Sequence, residues 1–368
     1  MKSVINVMWS GGPAYASVHK VHLQILAQAT PGTLIKTWLL QDKATACLGV
    51  QGEVKAWHFA SRFLKGRGVW MASRPLRNRL FYHALLKHQA RLVLLDGLGV
   101  ARALLPALRT LPQVRVVVVF HGSTRLDRKD VNLFRQFAPK QLTLCAVSQT
   151  LASSIEAAMG LTVVPLRCML DPQAFKEQLL SREQARQQLV IGAIHQQVFG
   201  AIGRLVESKG FDTLIRAFAQ SLQTRPDRLL LIIGEGPARS ALEATVSALG
   251  LQDKVLLPGH IANMASLYRA FDWVVIPSQA EGLGLVVQEA VIAGVPVLAS
   301  NLTVFHEQLG DAGYYIPVDD VAAWAKAIDM TSSLAIEEVA ASQYTALDPQ
   351  SAWQRFKLAC ADELSAVQ

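Results

Sequence analysis

Short apolar runs rich in β-branched residues recur along this chain, separated by segments long enough to form a helix. They fall at residues 4–8, 34–40, 91–95, 114–120, 142–147 and 162–165, and again at 198–202, 229–233, 255–257, 273–276, 296–299 and 314–316. A strand followed by a helix before the next strand re-enters the sheet in the same direction, so the strands run parallel and helices cover both faces. With 368 residues the chain is long for one core. The fold class expected is therefore α/β, two doubly wound Rossmann-like domains facing a cleft. Glutamine and charged residues dominate 173–197, which places a linker near 172–192 and domains at 1–172 and 192–350. A final helix near 351–366 is expected to pack back onto the first domain.

The most specific chemistry lies in the second half. Glu281 and Glu289 stand with seven residues between them, and Gly282 and Gly284 closely follow the first. The segment comes after the strand at 273–276 and leads into a helix that stops at Gly294. Glu281 is thus expected on a loop at the carboxyl end of a strand, where open α/β sheets place ligands, and the amides of Leu283, Gly284 and Leu285 at a helix N-terminus that can receive phosphate. Upstream, the strand at 198–202 runs into Gly203-Arg204-Leu205 and then Lys209-Gly210. Gly234-Glu235-Gly236-Pro237 follows the next strand, and Gly294-Val295-Pro296-Val297-Leu298-Ala299-Ser300 holds a later one.

This combination resembles the retaining, nucleotide-sugar-dependent glycosyltransferases of the GT-B fold, specifically the GT4 family of bacterial lipopolysaccharide and surface-glycan enzymes. The family pairs an E-x7-E motif with an arginine and a lysine in a G-R-L-x-x-x-K-G loop. The resemblance implies that Arg204 and Lys209 hold the diphosphate, that Glu281 lies against donor-sugar hydroxyls and that Glu289 accepts from the ribose. His121, at the end of an apolar strand, matches a histidine that contacts the donor sugar; with Arg204, Lys209 and Glu281 it makes the expected catalytic set. Gly11-Gly12, Gly203, Gly234, Glu235 and Ile261 join Leu283, Gly284, Leu285 and Glu289 as expected donor-binding residues. Two departures stand out. Leu285 replaces a frequent proline, and residues 166–171 replace a P-N-G-V-D-like segment.

The reaction so implied moves a hexose from a nucleotide-sugar, with a UDP-sugar as family prior, to a hydroxyl of a glycan acceptor such as lipopolysaccharide core or another lipid-linked glycan. The alternatives are a soluble transferase acting on a small molecule or protein, and a non-catalytic carbohydrate- or nucleotide-binding protein. No cofactor is expected and no metal. The chain contains no Asp-x-Asp triplet, the feature through which the other common glycosyltransferase fold holds a divalent ion. Asp96-Gly97-Leu98-Gly99 lacks the third glycine and the later acid of a dinucleotide fingerprint, and reads as a turn on the acceptor side. Ser148 reads as a helix cap.

Charge is split between the halves. Residues 1–190 hold 25 Lys and Arg against 9 Asp and Glu, a balance of +16, whereas the remainder carries −8. Between Glu53 and Asp96 there are nine cations and no acid, interspersed with aromatics. This reads as a surface for a phosphorylated glycolipid acceptor or an anionic membrane, with Arg74, Arg77 and Arg79 as its expected contacts on a loop broken by Pro75. Nucleic acid is not an expected partner, because the aromatics follow no recognised module. No apolar run is long enough to span a bilayer and the opening strand is too short for a signal peptide. The expected location is cytoplasmic, peripheral at the inner membrane. Cys47, Cys145, Cys168 and Cys360 lack ligand spacing and read as packed thiols.

Overall fold

The computed structural model describes residues 3–11, 16–41, 52–65, 72–122, 124–192 and 197–365. Gly12 and Cys47 lie outside them. The chain divides into two compact units, Met1–Cys168 with Gln354–Gln368, and Met169–Trp353.

The first unit is built on a sheet of β1 (Ser3–Met8), β2 (Leu34–Leu39), β3 (Glu53–Ala56), β4 (Ala90–Asp96), β5 (Arg115–Phe120), β6 (Leu142–Ala146) and β7 (Val164–Pro165), in the order β3-β2-β1-β4-β5-β6-β7. Every pair is parallel. The central strands read as unbroken apolar runs because helices cover both faces; Leu92–Leu95 and Val118–Phe120 are without solvent contact. β3 was not anticipated. Its charges suit an edge strand, and Lys36 on β2 bonds Glu53 at 2.6 Å.

The second unit holds β8 (Gln197–Ile202), β9 (Arg228–Ile233), β10 (Val255–Gly259), β11 (Trp273–Ile276), β12 (Val297–Ser300) and β13 (Tyr314–Ile316), ordered β10-β9-β8-β11-β12-β13 and again wholly parallel. Phe199 on β8 stands beside Leu230 on β9 and Trp273 on β11. These side chains pack with Phe218, Trp324 and Ile328 into one core. In each sheet the strand order reverses once, between β1 and β4 and between β8 and β11, which creates a crevice at the carboxyl ends of those strands.

Several expectations are corrected. Residues 172–192, read as a linker, hold the helices Pro172–Glu177 and Arg182–Gln188 within the second unit. The Asp96-Gly97 segment is no turn: the helix Gly97–Leu108 starts directly after β4. The Pro75 region is not a loop but the start of the helix Arg74–Lys87, because a proline in the first turn lacks only an N–H that would have no helical partner anyway. Arg77 is buried there and donates from Nη1 to the carbonyls of Phe63 (3.2 Å) and Leu64 (2.6 Å). It is a structural residue, unavailable to an acceptor or a membrane, whereas Arg74 and Arg79 are exposed. Ser148 does cap a helix, accepting from the Leu151 amide at 3.1 Å. Cys145, Cys168 and Cys360 are buried free thiols.

Candidate active site

In the second unit the loops after β8, β9, β10 and β11 are tied to one another by backbone contacts. Gly203 N–H donates to Ile233 O at 3.0 Å, Gly234 N–H to Gly259 O at 2.9 Å, Leu205 N–H to Glu235 O at 2.9 Å and Gln279 N–H to Ser208 O at 2.9 Å. Two glycines make the approach possible. A Cβ on Gly234, at φ +150°, would lie 1.8 Å from Gly203 O, and one on Gly210, at φ +67°, would lie 2.0 Å from Pro277 O. The loops carrying Arg204 and Lys209 on one side and Glu281 on the other are thereby pressed together at the β8/β11 reversal.

Lys209 Nζ is ion-paired with Glu281 Oε1, which also accepts from Ser278 Oγ at 2.9 Å. Arg204 is exposed and pairs with no carboxylate among the described residues. The loop thus offers one cation already neutralised and one open to an anion. Gly284 takes a left-handed conformation, φ +77°, and precedes the helix Leu285–Ile292. A Cβ there would meet the Phe305 ring at 2.6 Å. Leu283 O accepts from Gln308 Nε2 at 2.5 Å, which fixes the turn.

Glu289 is in that helix and buried, and its Oε2 accepts the Tyr268 hydroxyl at 2.5 Å. Burial first, then the charge and hydrogen bond of Glu289, hold the Tyr268 phenol far above its usual pKa. Glu235 is exposed and pairs with Arg239 at 3.0 Å; Ile261 is half-buried on the loop after β10. Tyr268 and Ser278 were not expected from the sequence. A tyrosine in an otherwise apolar turn needs a hydroxyl partner, which was the one clue to the first.

In the first unit, an open cavity of about 360 Å³ lies at the carboxyl ends of β1, β4 and β5, lined by Trp9, Asp96, Leu98, His121, Thr124 and neighbouring glycines. Gly11 lies on the loop after β1. Asp96 Oδ2 accepts from the Trp9 amide at 3.2 Å. Burial lifts the Asp96 carboxyl to about 6, against 3.8 for a free one, with the Trp9 amide opposing. Burial and then the nearby His19 push His121 down to about 3. His121 Nε2 lies 3.0 Å from His22 Nε2 and 3.9 Å from Asp96 Oδ1. His22 and Asp96 were not among the site residues chosen from the sequence.

Residues 181–346 match the family described as "Glycosyl transferases group 1". Among curated proteins, the lipopolysaccharide core biosynthesis mannosyltransferase LpsB of Rhizobium meliloti is 34% identical over 137 residues, 35% of this chain and 39% of that protein. The chain spans between 14% and 39% of the length of the curated relatives it matches. Of solved structures, a glycosyltransferase from Rickettsia africae superposes with a TM-score of 0.79 at 14% identity, covering 99% of this chain and 98% of that one. HepE of Anabaena, solved with UDP and glucose, gives 0.74 at 22% identity over 99% and 98%. With its parallel sheets of seven and six strands, the chain has the GT-B fold and carries, in its second unit, a group 1 glycosyl transferase domain.

Proposed function

We propose that the chain is a retaining, GT4-type glycosyltransferase that moves a hexose from a nucleotide-sugar, a UDP-sugar in the first instance, to a hydroxyl of a glycan acceptor. The observation that carries this reading is the gathering of Arg204, Lys209 and Glu281 at the β8/β11 reversal, with buried Glu289 in the helix that follows. Breaking the bond from the anomeric carbon to the diphosphate develops negative charge on the leaving group and positive charge on the sugar ring. Arg204 meets that phosphate directly. Lys209 reaches it by exchanging Glu281 for a stronger anion, and Glu281 is then released to sugar hydroxyls. Fixed cations in such a site favour the departing charge over the ground state. Glu289, held by Tyr268, accepts from the ribose hydroxyls. Retention follows from attack on the face the leaving group vacates, with the departing phosphate taking the acceptor proton. Cations and helix-terminal amides neutralise the diphosphate, so no metal is required. The test is nucleotide release from sugar nucleotides with and without chelator: unchanged release supports the metal-free reading, and loss restored by magnesium or manganese refutes it.

For the acceptor we favour a phosphorylated, lipid-linked glycan of the lipopolysaccharide core type, reached at an anionic membrane. Support comes from the helix Arg74–Lys87. Leu76, Leu80 and Leu86 are 59%, 40% and 43% exposed, and with Arg79, His83 and Lys87 they occupy one face about 120° wide at about 100° per residue. Exposed leucines flanked by cations suit contact with an anionic surface. The name of the LpsB relative points the same way. No helix among the described residues is long and apolar enough to cross a membrane.

A further inference from the structure

A hydrogen-bonded chain that the transfer chemistry above does not use ends at His121, on the wall of the first unit's cavity. Asn6 Nδ2 donates to Thr37 Oγ1 at 3.3 Å, which turns Asn6 Oδ1 to His22 Nδ1 at 2.7 Å. A carbonyl oxygen can only accept, so Nδ1 of His22 carries a proton. His22 is 1% exposed and burial holds it neutral; its Nε2 is then a bare lone pair. The 3.0 Å contact between the two Nε2 atoms therefore takes its proton from His121. With Nε2–H spent on His22, what His121 offers any other group is Nδ1, an acceptor with no partner among the described residues.

We propose that Asn6 and His22 are positioning residues that lock His121 as the Nε2–H tautomer, so that His121 meets a bound sugar hydroxyl as an acceptor at Nδ1. His121 Nδ1 and the Asp96 carboxylate are both acceptors on the wall of this cavity. Sugar hydroxyls donate to both. The Trp9 side chain on the same wall supplies an apolar face for the ring. His22, Asp96 and His121 also bring their ligand atoms within 4.8 Å of one another. A metal ion bound through both Nε2 atoms would have to displace the proton between them.

The test is NMR of nitrogen-labelled histidine in the full chain, with His22 and His121 assigned from the variants His22→Gln and His121→Gln. The expected spectrum has His22 protonated at Nδ1 and His121 at Nε2 at neutral pH. Asn6→Leu should replace both fixed tautomers by mixtures, and Asn6→Asp, which keeps an acceptor, should restore them. The wild-type spectrum decides the assignment even where Asn6→Leu does not fold. Methyl glucoside should move the His121 Nδ1 resonance. A His121 Nδ1–H tautomer, no response to methyl glucoside, or zinc holding both Nε2 atoms would overturn the inference. It rests on the transferase reading only for the identity of the ring as a sugar. The tautomers are measured without turnover, so a failure here stays distinct from a failure of nucleotide release.

Discussion

On the proposed mechanism, Arg204 and Lys209 meet the same anion from different starting states, one open and one paired with Glu281. If both act on charge that develops in the transition state, replacing either by alanine should lower kcat by at least about 100-fold, as removal of a fixed electrostatic donor does elsewhere. Steady-state kinetics check this, and near-parental turnover of both variants would displace the site. Tyr268→Phe should behave otherwise. It deprives the buried Glu289 carboxylate of a hydroxyl, so donor affinity should weaken by about 1 to 3 kcal/mol with kcat largely kept. Calorimetric titration with UDP reads that difference, and unchanged affinity would remove Tyr268 from the site. Asp96 gives a pH signature. Its folded-state carboxyl, near 6, is raised above the free value of 3.8, so its contribution to stability is fully present below about pH 4 and lost as pH rises through about 6. Asp96→Asn should therefore be more stable than the parent by about 1 to 3 kcal/mol at pH 7.5, with the gap closing below pH 4. Denaturant melts at both pH values measure it, and a gap independent of pH would contradict the burial of that carboxyl.

At the scale of elements, the loop after β9 depends on the absence of a side chain. Gly234→Ala would drive a Cβ into Gly203 O and should destabilise the second unit by about 2 to 4 kcal/mol. Gly250→Ala, also at positive φ but with open space around it, should lose only about 1 kcal/mol. Equal melting shifts for the two would show that backbone conformation, not loop contact, sets the requirement. The central strands of both sheets are legible because buried parallel strands are continuous apolar runs, and the Arg204, Lys209 and Glu281 loops because they match a family motif. β3 escaped notice because an edge strand keeps its charges. Pro75 reads in sequence as a break, although a first-turn proline serves a helix as well. Tyr268 and the Asn6–His22–His121 chain were invisible for another reason: each joins residues at least 16 positions apart on different elements, and no local pattern encodes such a pairing.

At the scale of the whole molecule, charge is divided as +16 in residues 1–190 and −8 beyond. Arg79 and Lys87 should each contribute about 1 kcal/mol to binding anionic vesicles at low salt, and the effect should fade as the Debye length drops to about 10 Å near 0.1 M. Replacing Leu76, Leu80 and Leu86 by glutamine with Arg79 and Lys87 by glutamate should abolish vesicle sedimentation while leaving nucleotide release intact; undiminished sedimentation would sink the membrane reading. Arg77 is left alone because its loss would disturb the fold. The most direct measurement is a donor panel of UDP-, GDP- and ADP-sugars read by melting temperature and nucleotide release together, on the parent and on Lys209→Ala. At least one sugar nucleotide should raise the parent's melting temperature and be hydrolysed slowly without acceptor, with release lost in Lys209→Ala. If no member of the panel shifts the melting temperature or yields nucleotide, or if Lys209→Ala releases it as fast as the parent, the chain does not transfer sugars from this site.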